Sequence, residues 1–386
     1  MIHHILSPYV LKELIDIRRD LHQWPDLSGD EQETSNKLIQ FFSKRTHVTI
    51  LTDIGGAGFA VIYEGKENGP TVVFRAELDA LPIQETNHFE HTSQRPNISH
   101  KCGHDGHMVI LLGLACLLDQ TQLKKGTVVL LFQPAEETGE GARQVIANKM
   151  FKSLRPDYIF ALHNLPGHPA HHIILKKGSF TASVKSIIIT LHGKTSHAAE
   201  PEHGINPALA IAEIVQNSLA LSNEDTTRPD FVVVTPVHIN MGEIAYGVSA
   251  GHGELHMTVR TWTEAYMTDL TNAINNIVEQ VSKTRHLHSK IKWIQEFSAC
   301  QNDDRAVDII SESAHDVGAF VTFRDQPFKW GEDFGLFTQH FKGAIFGLGA
   351  GVDVPALHNP DYDFPDEIIR TGAQLFYQII MNINKS

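Results

Sequence analysis

The chain of 386 residues is longer than one ordinary core sustains, which predicts two domains or one α/β domain carrying an insertion. With 45 acidic against 32 basic residues and a net charge of −13, it is expected to be soluble and to lack the basic footprint that nucleic-acid phosphates demand. Cys102, Cys116 and Cys300 make no disulfide framework and point to a reducing, cytoplasmic setting; no leader pattern opens the chain, and the apolar run 108–118 falls short of the ~20 residues of a membrane span.

Leu11, Leu14, Ile15, Ile17 and Leu21 fall on a helical stripe, which predicts an amphipathic helix over 10–22 that Trp24-Pro25 ends. A second helix is expected over 33–43, then strands over 48–51 and 59–63. Gly55-Gly56-Ala57-Gly58 between them lacks dinucleotide-binding spacing and reads as a plain turn. The continuous apolar run 71–75 reads as a strand buried on both faces, and it stops at Ala76-Glu77-Leu78-Asp79. The same pattern recurs: 127–132 ends in Gln133-Pro134-Ala135-Glu136-Glu137, 158–162 ends in His163-Asn164, and 344–348 precedes Leu357-His358-Asn359. With helices between them, these strands imply a mixed, largely parallel sheet whose ligands gather beyond the carboxyl ends.

From about 180 to 293 the texture changes to four strands and two helices, an inserted α+β module large enough for its own core. A helix near 304–317 and a long one from about 365 to 382 then close the chain. The expected domains are therefore 1–179 and 294–386, the two parts of one α/β domain, and the insertion 180–293.

The run His100-Lys101-Cys102-Gly103-His104-Asp105-Gly106-His107 is dense in transition-metal ligands and leads into the apolar segment 108–118, which reads as a buried helix. Cys102 and His104 are two residues apart and share one side of an extended or turning backbone. Combined with the strand ends, they give the ligand set Cys102, His104, Glu137, His163 and His358, whose mixed sulfur, nitrogen and oxygen donors suit zinc first, with manganese, cobalt or nickel as alternatives. Five ligands exceed one tetrahedral ion and suggest a pair of divalent ions. Adjacent glutamates cannot both face one ion from a regular strand, so one of the pair Glu136-Glu137 ligates and its neighbour is left as a carboxylate able to accept a proton from water. Taken alone, Glu136-Glu137 would read as a solvated acidic pair opening a helix at Thr138. The histidines of 168–172 have no carboxylate or cysteine nearby and are given no role.

The stretches RRDLHQWPDLS (18–28), RAELDALP (75–82), CGHDGH (102–107), QPAEE (133–137), LHN (162–164), HGKTSHAAEP (192–201), GEDF (331–334) and LHNPDYDF (357–364) resemble, in the same order, the two-metal amidohydrolases that include hippurate hydrolase, bacterial aminoacylases and auxin-conjugate hydrolases. The resemblance implies a catalytic domain interrupted by a ferredoxin-like lid of about a hundred residues that serves for homodimerisation. It also implies the same five metal ligands, Glu136 as general base, and Asp79 as a supporting acid that orients a ligand. His197 would stabilise the oxyanion, and Arg260 would hold a substrate carboxylate. Asp105 and His107 belong to the motif as supporting residues. The implied activity is hydrolysis of the amide bond of small N-acyl amino acids or related conjugates, with a dipeptidase or carboxypeptidase, or a non-catalytic metal-binding protein, as alternatives.

Two departures stand out. Glu77 occupies a position where the family has aspartate. Tyr246-Gly247-Val248-Ser249 replaces the family's Asn-Val-Ile-Pro segment of the lid.

Overall fold

The computed structural model describes residues 6–385. Residues 1–5 and Ser386, which open and close the first and last expected segments, lie outside the described residues. Among the described residues no helix is long and apolar enough to cross a membrane. The chain forms two compact units, one running to Phe180 and taking up Cys300–Asp325 and the chain from Glu332 on, the other made of Thr181–Ala299 and Gln326–Gly331.

The larger unit is built on an eight-stranded sheet in the order Val48–Leu51, Phe59–Glu64, Lys125–Gln133, Glu67–Glu77, Tyr158–Pro166, Gly343–Gly351, Ile173–Leu175 and Val321–Phe323. The central four, from Lys125–Gln133 to Gly343–Gly351, are mutually parallel, so Gln133, Glu77, Pro166 and Gly351 end on one edge. Phe59–Glu64 joins them antiparallel, which makes the sheet mixed, as the apolar strand pattern predicts. The three-residue strands Ile173–Leu175 and Val321–Phe323, and the short helices Gly141–Ala147 and Lys149–Leu154, carry too few residues to show a period and are additions to the sequence reading.

The helix His104–Gln120 is apolar on all sides and buried, as expected of an inner helix. It packs closely on the helix Ile369–Lys385, where a Cβ on Gly113 would stand 2.9 Å from that of Ala373. The helix Pro8–Gln23 begins at Ser7, whose hydroxyl accepts from the Val10 amide, and Pro8 takes the first turn, where a missing N–H does no harm.

The inner face of Pro8–Gln23 is not wholly apolar, because Arg18 and His22 point into the interior. Arg18 pairs with Asp105 (3.3 Å), Asp363 (2.6 Å) and Asp366 (2.9 Å). His22 lies between Asp105 (2.8 Å) and Glu85 (3.0 Å), and Lys101 also pairs with Glu85. Burial alone would depress His22, but Asp105 and Glu85 outweigh it and lift the imidazole from 6.5 to about 9. Burial likewise opposes ionisation of Glu85, yet His22 and Lys101 bring it down from 4.5 to about 2.

The signs fix a pH profile. The His22 contribution to stability is fully present below its unfolded value of 6.5 and is lost as pH rises toward about 9, whereas the Glu85 contribution is lost only as pH falls from 4.5 toward about 2. Urea unfolding of the metal-free protein should therefore show a His22 share on the order of 3 kcal/mol in the stability lost between pH 6.5 and 9, read as the difference between wild type and His22→Gln. In His22→Gln the overall stability drops and that alkaline slope flattens; an unchanged slope would show that other groups set it.

The smaller unit is a four-stranded antiparallel sheet in the order Val232–Met241, His252–Thr261, Ser183–His192 and His288–Phe297. Helices Ala208–Leu219 and Glu264–Thr284 follow the first and third strands in sequence, which gives the ferredoxin-like βαββαβ order. Alternate residues Ile187, Ile189 and Leu191, with Leu255, Met257 and Val259, share a core with Ile211, Ile214, Ile274 and Val278 of the helices. The period of two in these strands follows directly from covering one face only.

Candidate metal centre

Chain segments leaving the carboxyl edge of the parallel strands converge on one place. Beyond Glu77 the backbone reaches Asp79, fully buried; beyond Gln133 it turns through Pro134 and Ala135 to Glu136 and Glu137. His163 occupies the last part of Tyr158–Pro166, and His358 follows Gly343–Gly351. No helix opens at Thr138: the acidic pair lies in a turn, and the next helix begins at Gly141.

Cys102 and His104 meet by a different route from the one expected. Gly103 stands in the left-handed region (φ +93°), and His104, Asp105 and His107 already belong to the helix His104–Gln120. A Cβ at Gly103 would lie 2.6 Å from Asn164 Oδ1, so glycine is required twice over, for its torsion and for its lack of a side chain. A sharp turn into a helix, rather than strand alternation, brings the thiol and the imidazole to one side.

Cys102 Sγ stands 3.4 Å from His163 Nε2. Within each of the groups Cys102–His104–His163, Cys102–Glu137–His358 and His104–Glu136–Glu137, the ligand atoms lie within 4.8 Å of one another. All five sequence-derived ligands and Glu136 are thus brought together. His104 Nδ1 donates to the Asp79 carbonyl (2.8 Å), which leaves Nε2 available to coordinate an ion, and His163 Nδ1 is held in the same way by the Asn164 carbonyl (2.9 Å). The Asp79 side chain accepts from the Glu137 amide (2.9 Å) and from Ser28 Oγ (2.7 Å), so this residue orients two neighbours of the centre. His107 is engaged at both ring nitrogens, by Glu77 (2.7 Å) and Asn164 (2.5 Å), which suits a supporting role.

Behind Glu136 lies a cluster that the sequence reading did not single out. The guanidinium of Arg75, fully buried, pairs with Glu77, with Glu332 (2.9 Å) and with Asp333 (2.6 Å), and donates to Gln133 (2.8 Å). The Asp333 amide in turn donates to Glu136 Oε1 (3.3 Å). The GEDF stretch was the available signal, but nothing local in it points to an arginine more than 250 positions away.

The electrostatics are those of a site with excess buried negative charge. Burial, then Glu332, Glu137 and Asp333, push Glu136 well above the ordinary carboxylate value. Burial raises Glu137 to about 7 despite His104, and burial with Glu137 and Glu136 pushes the Cys102 thiol well above its usual range. His104 is lifted to about 10: burial opposes its charge, and the Glu77, Asp79 and Glu137 carboxylates overcome it. His104 Nε2 and Glu137 Oε1 face each other at 3.9 Å, and both are buried without a hydrogen-bond partner among the described residues. Such orphaned atoms are costly, and a cation between them satisfies both while neutralising the acids. The donor set and its geometry fit divalent metal ions.

His197 and Arg260 belong to the smaller unit. His197 is exposed; it lies in a short antiparallel pairing with Val248, and its Nδ1 accepts from the Ala199 amide (3.0 Å). The Tyr246–Ser249 segment that departs from the family pattern therefore pairs directly with the stretch carrying His197. Arg260 is half-buried, its Nε donating to the Lys329 carbonyl (2.9 Å).

A family profile described as Peptidase family M20/M25/M40 matches residues 73–382. The chain belongs to this family. It is similar to the N-acetylcysteine deacetylase of Bacillus subtilis strain 168, 31% identical over 369 residues that cover 95% of each chain. The hippurate hydrolase of Campylobacter jejuni is 29% identical over 375 residues, 97% of each chain. Among solved structures, the YXEP protein of Bacillus subtilis, described as a dinuclear metal-binding peptidase of the M20 family, superposes with a TM-score of 0.81 at 29% identity, covering 97% of this chain and 98% of that one. As a member of the M20/M25/M40 family, the chain is a hydrolase acting on amide bonds.

Proposed function

We propose that this M20-family chain hydrolyses the amide bond of small N-acyl amino acids, with Cys102, His104, Glu137, His163 and His358 holding two divalent ions and Glu136 acting as general base. The observation that supports this reading is the different surroundings of the two adjacent carboxylates. Glu137 presents an unpartnered buried oxygen to His104, while Glu136 is backed by the Asp333 amide and by neighbours that raise its proton affinity. When bound, the ions supply positive charge that polarises the amide carbonyl and makes a water in the site more acidic. Glu136 Oε2 accepts the proton of the attacking water, and the same carboxyl delivers it to the leaving nitrogen.

The resemblance assigns His197 to the developing oxyanion and Arg260 to the substrate carboxylate. The deacetylase and hippurate hydrolase named above support an N-acyl amino acid as substrate, and zinc is the ion we favour. We also take the smaller unit as lid and homodimer surface. Its edge strand Val232–Met241 exposes Val237, Ile239 and Met241, and the following turn exposes Ile244 and Tyr246 almost completely, an apolar edge of the kind that pairs with a second copy. The cytoplasm suits a thiolate ligand.

The test is a hydrolysis panel of N-acetyl and N-benzoyl amino acids beside dipeptides, run on protein loaded with zinc, manganese, cobalt or nickel. The N-acyl compounds are expected to be turned over in preference to dipeptides. Chelation should abolish turnover, and adding the ion back should restore it. Activity indifferent to a chelator, or confined to dipeptides, would overturn the reading.

A further inference from the structure

We propose that Glu31 is a positioning residue that sets the Glu136-Glu137 pair by holding the backbone of Ala135 in a left-handed turn. Glu31 immediately precedes the helix Gln32–Phe42, where an acidic side chain ordinarily accepts from the first amides of its own helix. It makes no such cap. Instead Oε1, in a fully buried side chain, accepts from the Gly29 amide (2.9 Å) and from the Ala135 amide (2.7 Å), 104 positions along the chain.

Ala135 has φ +54°, a conformation unfavourable for any residue carrying a Cβ, and it stands between the end of the strand Lys125–Gln133 and the two glutamates. Consecutive side chains of a regular strand point to opposite faces. After the left-handed turn, Glu136 Oε2 and Glu137 Oε1 both lie 3.9 Å from His104 Nε2. The turn is fixed at both ends, by Glu31 on the Ala135 amide and by Asp79 on the Glu137 amide. The Ala135 carbonyl is taken by the Gly141 amide (3.0 Å), so Glu31 supplies the side-chain partner that the strained residue has on its amide side. Strain of this kind persists at functional sites only where surrounding groups over-determine it.

Because a single oxygen of Glu31 accepts both bonds while Oε2 has no partner, the geometry needs an acceptor and not a charge. Glu31→Gln should therefore preserve function and Glu31→Leu should not. Glycine adopts the left-handed region freely, so Ala135→Gly should relieve the need for Glu31.

The inference rests on Glu136 and Glu137 being the base and a ligand, and its test is separable from that reading. For E31Q, E31L, A135G and E31L/A135G, the measurements are kcat and KM on the best N-acyl amino acid, bound metal per chain, and hydrogen exchange of the 135–141 amides in metal-free protein. E31L should lower kcat by about 30-fold with KM and metal content nearly unchanged, and E31Q should stay within about threefold of wild type. In the A135G background the E31L loss should shrink by about tenfold. Exchange at 135–141 should rise in E31L alone.

An equal E31L loss in both backgrounds, or E31Q as poor as E31L, would overturn the proposal. So would a kcat loss explained by missing metal. If E31L fails to fold, E31L/A135G is expected to fold and turn over substrate, and its failure too would make Glu31 a folding residue only. Activity retained in Glu136→Gln would instead sink the base assignment and leave the hydrogen-exchange result standing.

Discussion

Glu136→Gln is expected to lower kcat by about 10²- to 10⁴-fold, the span that general acid–base groups contribute, while two metal ions per chain remain bound. Glutamine keeps the shape of the side chain and still accepts from the Asp333 amide at Oε1, so the fold around the substitution has no reason to change. What it loses is the ability to take a proton and return it. Metal content decides between two arrangements that the geometry brings close, because both Glu136 and Glu137 have an oxygen within reach of His104. Loss of one ion in Glu136→Gln, with Glu137→Gln keeping both, would invert the assignment. Near-normal kcat with full metal would remove Glu136 from the chemistry.

Much of this centre is legible in the sequence because parallel strands buried on both faces are written as uninterrupted apolar runs. A polar residue immediately after such a run sits at or near the strand's carboxyl end. Gln133-Pro134-Ala135-Glu136-Glu137 and Leu162-His163-Asn164 are of this kind, and the helix of 108–118 is legible for the same reason. The start of that helix is not, since His104-Asp105-Gly106-His107 has neither apolar period nor strong helix formers, and its position depends on the torsion of Gly103. Nor is the pairing of Arg75 with Glu332 and Asp333. An arginine closing an apolar strand looks like a surface residue, and the partners that permit its burial come from a segment brought in only by the fold. Glu31 is hidden in the same way, since an acid before a helix has an ordinary local explanation and its bond to Ala135 is made across tertiary structure.

Arg75→Met should cost about 3–5 kcal/mol of unfolding free energy, because removing one partner of a buried ionic cluster leaves the others uncompensated. Methionine fills much of the volume, so the loss is electrostatic rather than a cavity. Three carboxylates, Glu77, Glu332 and Asp333, share this guanidinium, and burial of each is tolerable only while it is there. Burial opposes the ionisation of Glu77, yet Arg75 and then His107 hold it well below the usual range; that contribution is present above the ordinary value of 4.5 and is lost only in strong acid. Without Arg75 the sign reverses. Glu77 then favours protonation, so the variant should lose stability as pH rises, and its deficit against wild type should be smaller at pH 5 than at pH 8. Urea unfolding of both metal-free proteins at the two pH values measures this directly. A second substitution, Glu332→Gln, is expected to recover part of the loss in Arg75→Met and to destabilise when made alone. A variant within about 1 kcal/mol of wild type at both pH values would mean that Arg75 is not the charge that keeps Glu77 ionised.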